Sequence, residues 1–174
     1  MMMKKTIAII LAIVLALTLA SCGGRKKTNV PDTNGDGKLT CTLEIRCDTL
    51  LNHLDEMKAG KAALVPENGQ LLAETKVEFN AGDSVFDVFR QILREEKIHF
   101  EYTDTQIYNS VYIEGIGNLY EFDCGPQSGW MYSVNGVYPG LGCSAYILTD
   151  CDVIVFSYTC DLGADLGAEF DNEE

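Results

Sequence analysis

The chain has 174 residues, 47% of them hydrophobic, and its 26 acidic residues outnumber 13 basic ones to give a net charge of −13 at pH 7. This length and apolar content suit one folded domain with its own core. The strong negative charge argues against nucleic acid or an anionic membrane surface as the ligand.

Residues 1–21 have the organisation of an export signal peptide. Two lysines precede the uncharged run TIAIILAIVLALTLA, and small residues lead to Cys22. A run of about 15 apolar residues is shorter than the roughly 20 that span a bilayer, so a permanent transmembrane helix is the weaker interpretation. The LASC sequence ending at Cys22 resembles the lipobox of bacterial lipoproteins, in which this cysteine carries diacylglycerol. The resemblance implies a protein lipid-anchored to the cell membrane on the extracytoplasmic side, whereas an ordinary Cys22 thiol is the alternative.

Residues 22–38 predict a flexible tether because they are rich in Gly, Asn, Asp and Lys. Residues 32–37, DTNGDG, resemble the start of a calcium loop, but position 12 is Leu43 instead of a bidentate carboxylate, which favours a plain linker. The folded domain is expected over residues 39–161. An acidic tail, 162–174, follows and is expected to be loose beyond its first few residues.

Within the domain, hydrophobic periodicity predicts one main helix and several short strands. Residues 39–47 alternate without a fault and predict a half-buried strand, and a short helix over 50–59 and an extended segment over 71–79 are expected next. Ser84 is positioned to cap a helix that begins at Val85 and ends near Lys97. Strands are predicted over the short segments that follow, residues 98–102, 110–115, 118–125, 129–136, 145–149 and 152–160. Asn135-Gly136 is a strong hairpin signal. One long helix on short mixed or antiparallel strands is an α+β domain.

Six cysteines remain after Cys22, and an even number in an exported small domain favours disulfides. They are Cys41, Cys47, Cys124, Cys143, Cys151 and Cys160. A zinc site is the competing interpretation, but no C-x-x-C pair occurs, and His53 and His99 stand alone in other contexts.

Three motifs in register resemble one known family. AGDSV at 81–85 begins the main helix, SGWMYSVNG follows at 128–136, and DCDVI occurs at 150–154. This order resembles the DUF4430 family, whose domain looks like the C-terminal β-domain of transcobalamin and intrinsic factor. The resemblance extends from about Cys41 to Asp161, and only Cys151 departs from it, because it stands where Gly is usual. It implies a β-grasp-like fold and a surface that faces a corrinoid ring.

A corrin is a broad apolar disc fringed with amides, so its site needs aromatic faces and hydrogen-bonding groups. The residues that the resemblance offers for such a site are Trp130, Tyr132, Asn135, Tyr138, Tyr108 and Tyr112. The alternative is structural: a lone Trp in a strand is often core, and the hairpin alone explains Asn135. Transcobalamin clamps its ligand with a separate helical domain that has no counterpart here. Either a weaker corrinoid affinity is therefore expected, or a partner such as a component of an uptake transporter completes the site. A histidine that coordinates cobalt, His53 or His99, could compensate, but a structural role is favoured for each.

The resemblance also reduces the number of plausible disulfide pairings. Cys124 and Cys143 flank the Trp130 strand and form the preferred pair. In β-grasp topologies the last strand lies beside the first, so Cys160 is expected to bond Cys47 or Cys41, which leaves Cys151 with the remaining partner. Two bridges and a free pair are the alternative.

Nothing in the sequence predicts catalysis, an intrinsic cofactor or a metal centre. Two functions remain open. The first is an extracellular lipoprotein that binds cobalamin or a related corrinoid for uptake. The second is a surface module that binds protein or glycan and has no small-molecule ligand.

Overall fold

The structure, a computed structural model, describes residues 38–105 and 110–168. The predicted signal peptide, Cys22, the calcium-like sequence and Tyr108 therefore lie outside the described residues. The strands are β1 (Leu39–Arg46), β2 (Gln70–Phe79), β3 (Phe100–Thr105), β4 (Ser110–Ile116), β5 (Leu119–Tyr120), β6 (Gly129–Val134) and β7 (Val153–Thr159), and the helix is α1 (Val85–Glu95). Short 3₁₀ helices occupy Asp48–Asn52, Ala62–Leu64 and Ala164–Leu166.

Two sheets and one α-helix make up the described part of the chain, which confirms the α+β prediction. The larger sheet has the order β2-β1-β7-β6, and the smaller one has the order β3-β4-β5. Strands β1 and β7 are parallel, whereas every other neighbouring pair is antiparallel. The last strand thus lies beside the first, as the family resemblance implied.

The alternation of β1 and the amphipathic pattern of α1 build the core. Cys41, Leu43, Ile45 and Cys47 are buried along one face of the sheet. The helix begins at a capping box in which Ser84 accepts from the backbone of Asp87. From this helix Phe89 packs against Phe156 of β7, with ring centroids 4.6 Å apart.

Two predicted elements are wrong. The expected helix over 50–59 is only the 3₁₀ helix Asp48–Asn52, which has no side-chain cap. The strand-like residues 145–149 form no strand beyond one isolated bridge, Ser84 to Ile147. Instead their backbone holds the start of α1, since the N–H of Val85 donates to Tyr146 O and that of Leu148 donates to Asp83 O, each at 3.0 Å.

The beginning of the acidic tail packs onto the domain. Asp165, in the last 3₁₀ helix, accepts hydrogen bonds from the Thr159 hydroxyl and from the Cys160 amide, the latter at 2.7 Å. Among residues 38–105 and 110–168, no helix combines the length and the apolar character that crossing a membrane requires.

Candidate functional site

An apolar groove runs along the surface between β4 and β6. Three adjoining cavities, with volumes of about 130, 540 and 270 Å³, all have Tyr112 in their walls, and we call them together the Tyr112 groove. Besides Tyr112, residues that line it include Val111, Trp130, Met131, Tyr132, Leu141, Gly142, Phe122 and Leu162. The size and apolar lining are those of a small-molecule site.

The two ends of the groove are formed by loops. At one end the largest cavity lies between the start of β4 and residues 140–145. At the other end the wall is formed by Phe122 and residues 126–128 together with Thr159, the last residue of β7, and Leu162. Leu141 and Leu162 are 56% and 63% exposed, so the groove presents apolar side chains directly to solvent.

The edge of β6 contributes unpaired backbone groups to this groove. Strand β6 ends the four-stranded order, and the Asn135 N–H donates to Val153 O across the β6–β7 pair at 2.8 Å. Because hydrogen-bonded and non-bonded residues alternate along an antiparallel pair, the N–H and C=O groups of Trp130 and Tyr132 point away from β7. Both residues line the groove, so its wall offers donors and acceptors as well as apolar surface.

Trp130 forms part of the groove wall from a buried position. Its side chain is 8% exposed, and its Nε1 donates to Leu119 O at 2.8 Å. The indole meets Tyr158 edge to face, with centroids 5.2 Å apart. Trp130 therefore holds β6 to β5 and presents only a small part of its surface to a ligand.

Tyr132 fixes the loop at the wide end of the groove. Its ring stacks on Phe156 at 5.7 Å, and its hydroxyl donates to Leu141 O at 2.6 Å. Burial raises the pKa of Tyr132, so the hydroxyl stays a donor at neutral pH. Gly142 allows this loop to lie close to Ser110 of β4, because a Cβ at position 142 would lie 1.7 Å from Ser110 Oγ.

Tyr112 is the most accessible of the predicted aromatic residues in the groove. It is 45% exposed, and its hydroxyl donates to the Glu121 carboxylate at 2.6 Å. Burial of the phenol, followed by the hydrogen bond to Glu121, raises the pKa of Tyr112. The hydrogen bond fixes the position of the hydroxyl, and Tyr112 contributes to the wall of all three cavities.

Two of the predicted ligand residues, Asn135 and Tyr138, do not line these cavities. Asn135 occupies the hairpin turn at φ 53°, and its side chain bonds Asp152 and the Val153 N–H. Tyr138 bonds Ser157 of β7, and burial raises its pKa. The structure thus gives both residues a structural role and separates them from Trp130, Tyr132 and Tyr112.

The two histidines also have local partners outside the groove. His53 Nδ1 lies 3.1 Å from Glu56, and His99 Nε2 lies 3.1 Å from Glu101 and 3.2 Å from the Tyr120 hydroxyl. Among the described residues, no three His, Cys, Asp or Glu side chains cluster in a way that could hold a metal ion.

Sequence reasoning missed the aliphatic part of the groove. Val111, Leu141 and Leu162 line it, yet they come from a strand and two separate loops. The available signal was the presence of apolar residues in Gly-rich segments, such as Leu141 between Gly140 and Gly142. Such residues have no periodicity that would place them on a shared surface.

Comparison with known proteins shows a family similarity over part of the chain. Residues 82–160 match the family described as Domain of unknown function (DUF4430). The match covers 79 of the 174 residues. No curated protein matches the sequence.

Two solved structures resemble the protein in fold. Haptocorrin in complex with Cbi matches with a TM-score of 0.53 and 13% identity, over 72% of this chain and 26% of haptocorrin. The chain thus corresponds to about a quarter of that protein, and the likeness shows a shared transcobalamin-like fold. A candidate metal-binding protein from Ruminococcus gnavus ATCC 29149 matches with a TM-score of 0.39 and 13% identity, over 70% of this chain and 96% of that one.

The fold shows why glycine is usual at the one position, Cys151, where the chain departs from the DUF4430 motifs. Cys151 has a φ of 67°, in the left-handed region that favours glycine. Its N–H donates to Thr40 O at 2.7 Å, so the turn must keep this conformation to join β1. Glycine is therefore the residue that suits this position of the DUF4430 domain, and Cys151 is strained there.

The six cysteines of the described residues all carry free thiols in the structure. The preferred pair from the sequence does not share an environment. Cys124 lies against Cys160 and the carbonyl of His53, whereas the Cys143 thiol faces the carbonyl of Val111. The assignments of Cys143 to Cys124, and of Cys160 to β1, therefore need revision, while disulfide formation itself stays a prediction.

Proposed function

We propose that this protein is a membrane-anchored, extracytoplasmic, non-catalytic lipoprotein that binds cobalamin or a related corrinoid in the Tyr112 groove. The observation that carries the proposal is the combination of an apolar groove with the open edge of β6. The haptocorrin fold match supports the same ligand class, because haptocorrin was solved in complex with Cbi. The parallel β1–β7 pair under α1 supports a β-grasp-like description of the larger sheet.

The groove has the two kinds of surface that a corrinoid requires. The half-exposed ring of Tyr112 and the exposed side chain of Leu141 provide apolar contact area for the macrocycle. The outward N–H and C=O groups of Trp130 and Tyr132 can pair with the amide fringe. Backbone groups suit this role because they are fixed by the sheet before the ligand arrives.

A single domain covers one side of such a ligand. The groove is open to solvent, and the exposed residues Phe122, Leu141 and Leu162 surround it. A second protein, such as the membrane subunit of an uptake transporter, would cover the other face and increase the buried area. We propose that Cys22 carries the lipid that holds the groove close to such a partner. Incorporation of labelled fatty acid into the wild type but not into Cys22→Ser tests the anchor, and equal labelling of both would refute it.

The ligand is tested by titrating the purified full chain with cobinamide and cobalamin. Trp130 is the sole tryptophan and lies in the groove wall, so a bound corrin should quench its fluorescence and saturate with ligand. Absence of quenching and of any change in cobalt absorption at several hundred micromolar ligand would exclude a corrinoid function for this chain by itself.

A matched pair of variants separates groove binding from general surface effects. Leu141 and Ile147 are 56% and 54% exposed, but only Leu141 lines the groove. Leu141→Ala should weaken binding about 5- to 10-fold, because roughly 1 kcal/mol of apolar contact is lost. Ile147→Ala should bind like the wild type. Equal affinities for the two variants would place the ligand elsewhere.

The open β6 edge also favours a second candidate, a surface module that binds an extended peptide. Strand addition would use the same outward backbone groups of Trp130 and Tyr132, with side-chain pockets to select the partner. The corrinoid titration separates the two candidates, because a peptide-binding module would give no signal in it. Hydrogen exchange then tests the second candidate, since an added peptide strand would protect the Trp130 and Tyr132 amides.

A further inference from the structure

Two cysteines that are distant in sequence meet close to the narrow end of the Tyr112 groove, the cavity lined by Phe122, Gln127 and Leu162. The side chains of Cys124 and Cys160 lie next to each other, and each thiol affects the pKa of the other. Cys124 is 5% exposed and precedes the 125–128 loop, whereas Cys160 is partly exposed and directly follows β7. The contact therefore joins the loop before β6 to the segment after β7.

Hydrogen bonds hold both cysteine segments in this position without help from the thiols. Ser128 Oγ accepts from the Cys124 N–H at 3.1 Å and lies 3.0 Å from the Tyr158 hydroxyl, two residues before Cys160. The Leu162 N–H donates to Gln127 O at 3.0 Å. Residues on both sides of Cys160 are thus hydrogen-bonded to the 125–128 loop that follows Cys124, which keeps the two cysteine segments side by side.

We propose that Cys124 and Cys160 form a disulfide that staples the narrow end of the groove. The reaction is thiol–disulfide exchange with a small disulfide such as oxidised glutathione. The Cys160 thiol, the more exposed one, loses its proton, attacks the oxidant and forms a mixed disulfide, which releases one reduced glutathione. The Cys124 thiolate then attacks the Cys160 sulfur and releases the second, so two protons and two electrons leave the protein.

The cross-link would act on the groove itself. The residues that flank the two cysteines, Phe122, Gln127 and Leu162 among them, line one of the three cavities. A covalent bond behind this wall keeps its two sides at a fixed separation and removes chain entropy from the unfolded state. Burial is the largest cause that raises the pKa of Cys160 to about 12, so exchange should be faster at pH 8.5 than at pH 7.

The test maps disulfides in the full chain after exposure to oxidised glutathione at pH 8.5. Free thiols are alkylated, the protein is digested without reduction, and mass spectrometry identifies the cross-linked peptides. We expect one peptide pair that joins Cys124 to Cys160, and a thermal midpoint roughly 10 °C above that of the reduced protein. Cys124 bonded mainly to Cys143, or both cysteines fully alkylated after oxidation, would overturn the proposal.

Two variants provide the controls, and neither result depends on corrinoid binding. Cys160→Ser should lose the cross-link and the oxidation-dependent rise in thermal midpoint. Cys151→Ser changes an exposed cysteine outside this contact and should keep both. A rise in thermal midpoint that persists in Cys160→Ser would assign the stabilisation to another pair and refute the staple.

Discussion

The substitution Trp130→Phe tests whether Trp130 stabilises the fold or serves mainly as a contact surface for a ligand. In the structure the indole is 8% exposed and its Nε1 donates to Leu119 O at 2.8 Å. Phenylalanine keeps one aromatic ring on β6 but removes the donor and part of the ring volume. We therefore expect the substitution to destabilise the fold.

The size of the effect follows from these two losses. Leaving the buried Leu119 carbonyl without its donor costs about 1–3 kcal/mol. The space left by the smaller ring, next to the edge-to-face contact with Tyr158, adds about 1 kcal/mol. The free energy of unfolding should thus fall by about 2–4 kcal/mol, a large part of the total stability of a domain of this size.

Urea unfolding followed by far-UV circular dichroism measures this loss, since the variant has no tryptophan to report by fluorescence. Tyr102→Phe is the control, because Tyr102 is 40% exposed and lies outside the groove. The free energy of unfolding of this variant should differ from that of the wild type by about 0.5 kcal/mol or less. A Trp130→Phe protein that unfolds within 0.5 kcal/mol of the wild type at an unchanged m-value would refute the structural role.

Two further substitutions test local geometry. Cys151→Gly should raise the thermal midpoint of the reduced protein, because glycine relieves the strain at φ 67°, worth about 1 kcal/mol; an unchanged or lower midpoint would argue against that backbone conformation. Asp87→Asn should have a lower thermal midpoint than the wild type at neutral pH. The difference between the two midpoints should become smaller as the pH is lowered. The hydrogen bond from Ser84 holds the pKa of Asp87 below its ordinary value, so its contribution is present above about pH 4 and is lost as the pH falls through the folded-state pKa. Thermal midpoints measured from pH 7 to pH 2 check this, and a constant margin would contradict it.

Local signals in the sequence predicted the elements that position the groove. The alternation over residues 39–47 became β1, and the Ser84 cap with its apolar stripe became α1. Asn135-Gly136 forms its hairpin with φ of 53° and 82° at the two central residues. These predictions succeeded because each depends on residues only a few positions apart, where the period or the turn conformation decides the outcome.

Local patterns failed where longer-range contacts compete with them. Residues 145–149 have a strand composition, yet their backbone groups bond the start of α1. Residues 50–59 could form a helix in isolation, but the chain leaves it after Asn52. For residues 145–149, tertiary hydrogen bonds outweighed a weak preference for the strand conformation. For residues 50–59, a weak helix propensity without side-chain caps was not enough to continue the helix.

The sequence by itself determined the composition of the domain, its DUF4430 motifs and the presence of aromatic residues on β6. Only the tertiary structure decided that Trp130 is mainly core, that Tyr112 is the accessible aromatic residue, and that Leu141 and Leu162 complete the groove. It also brought Cys124 to Cys160. The physical reason is that a groove or a thiol pair depends on how separate loops approach one another, and that approach is set by the packing of two sheets, which no local period encodes.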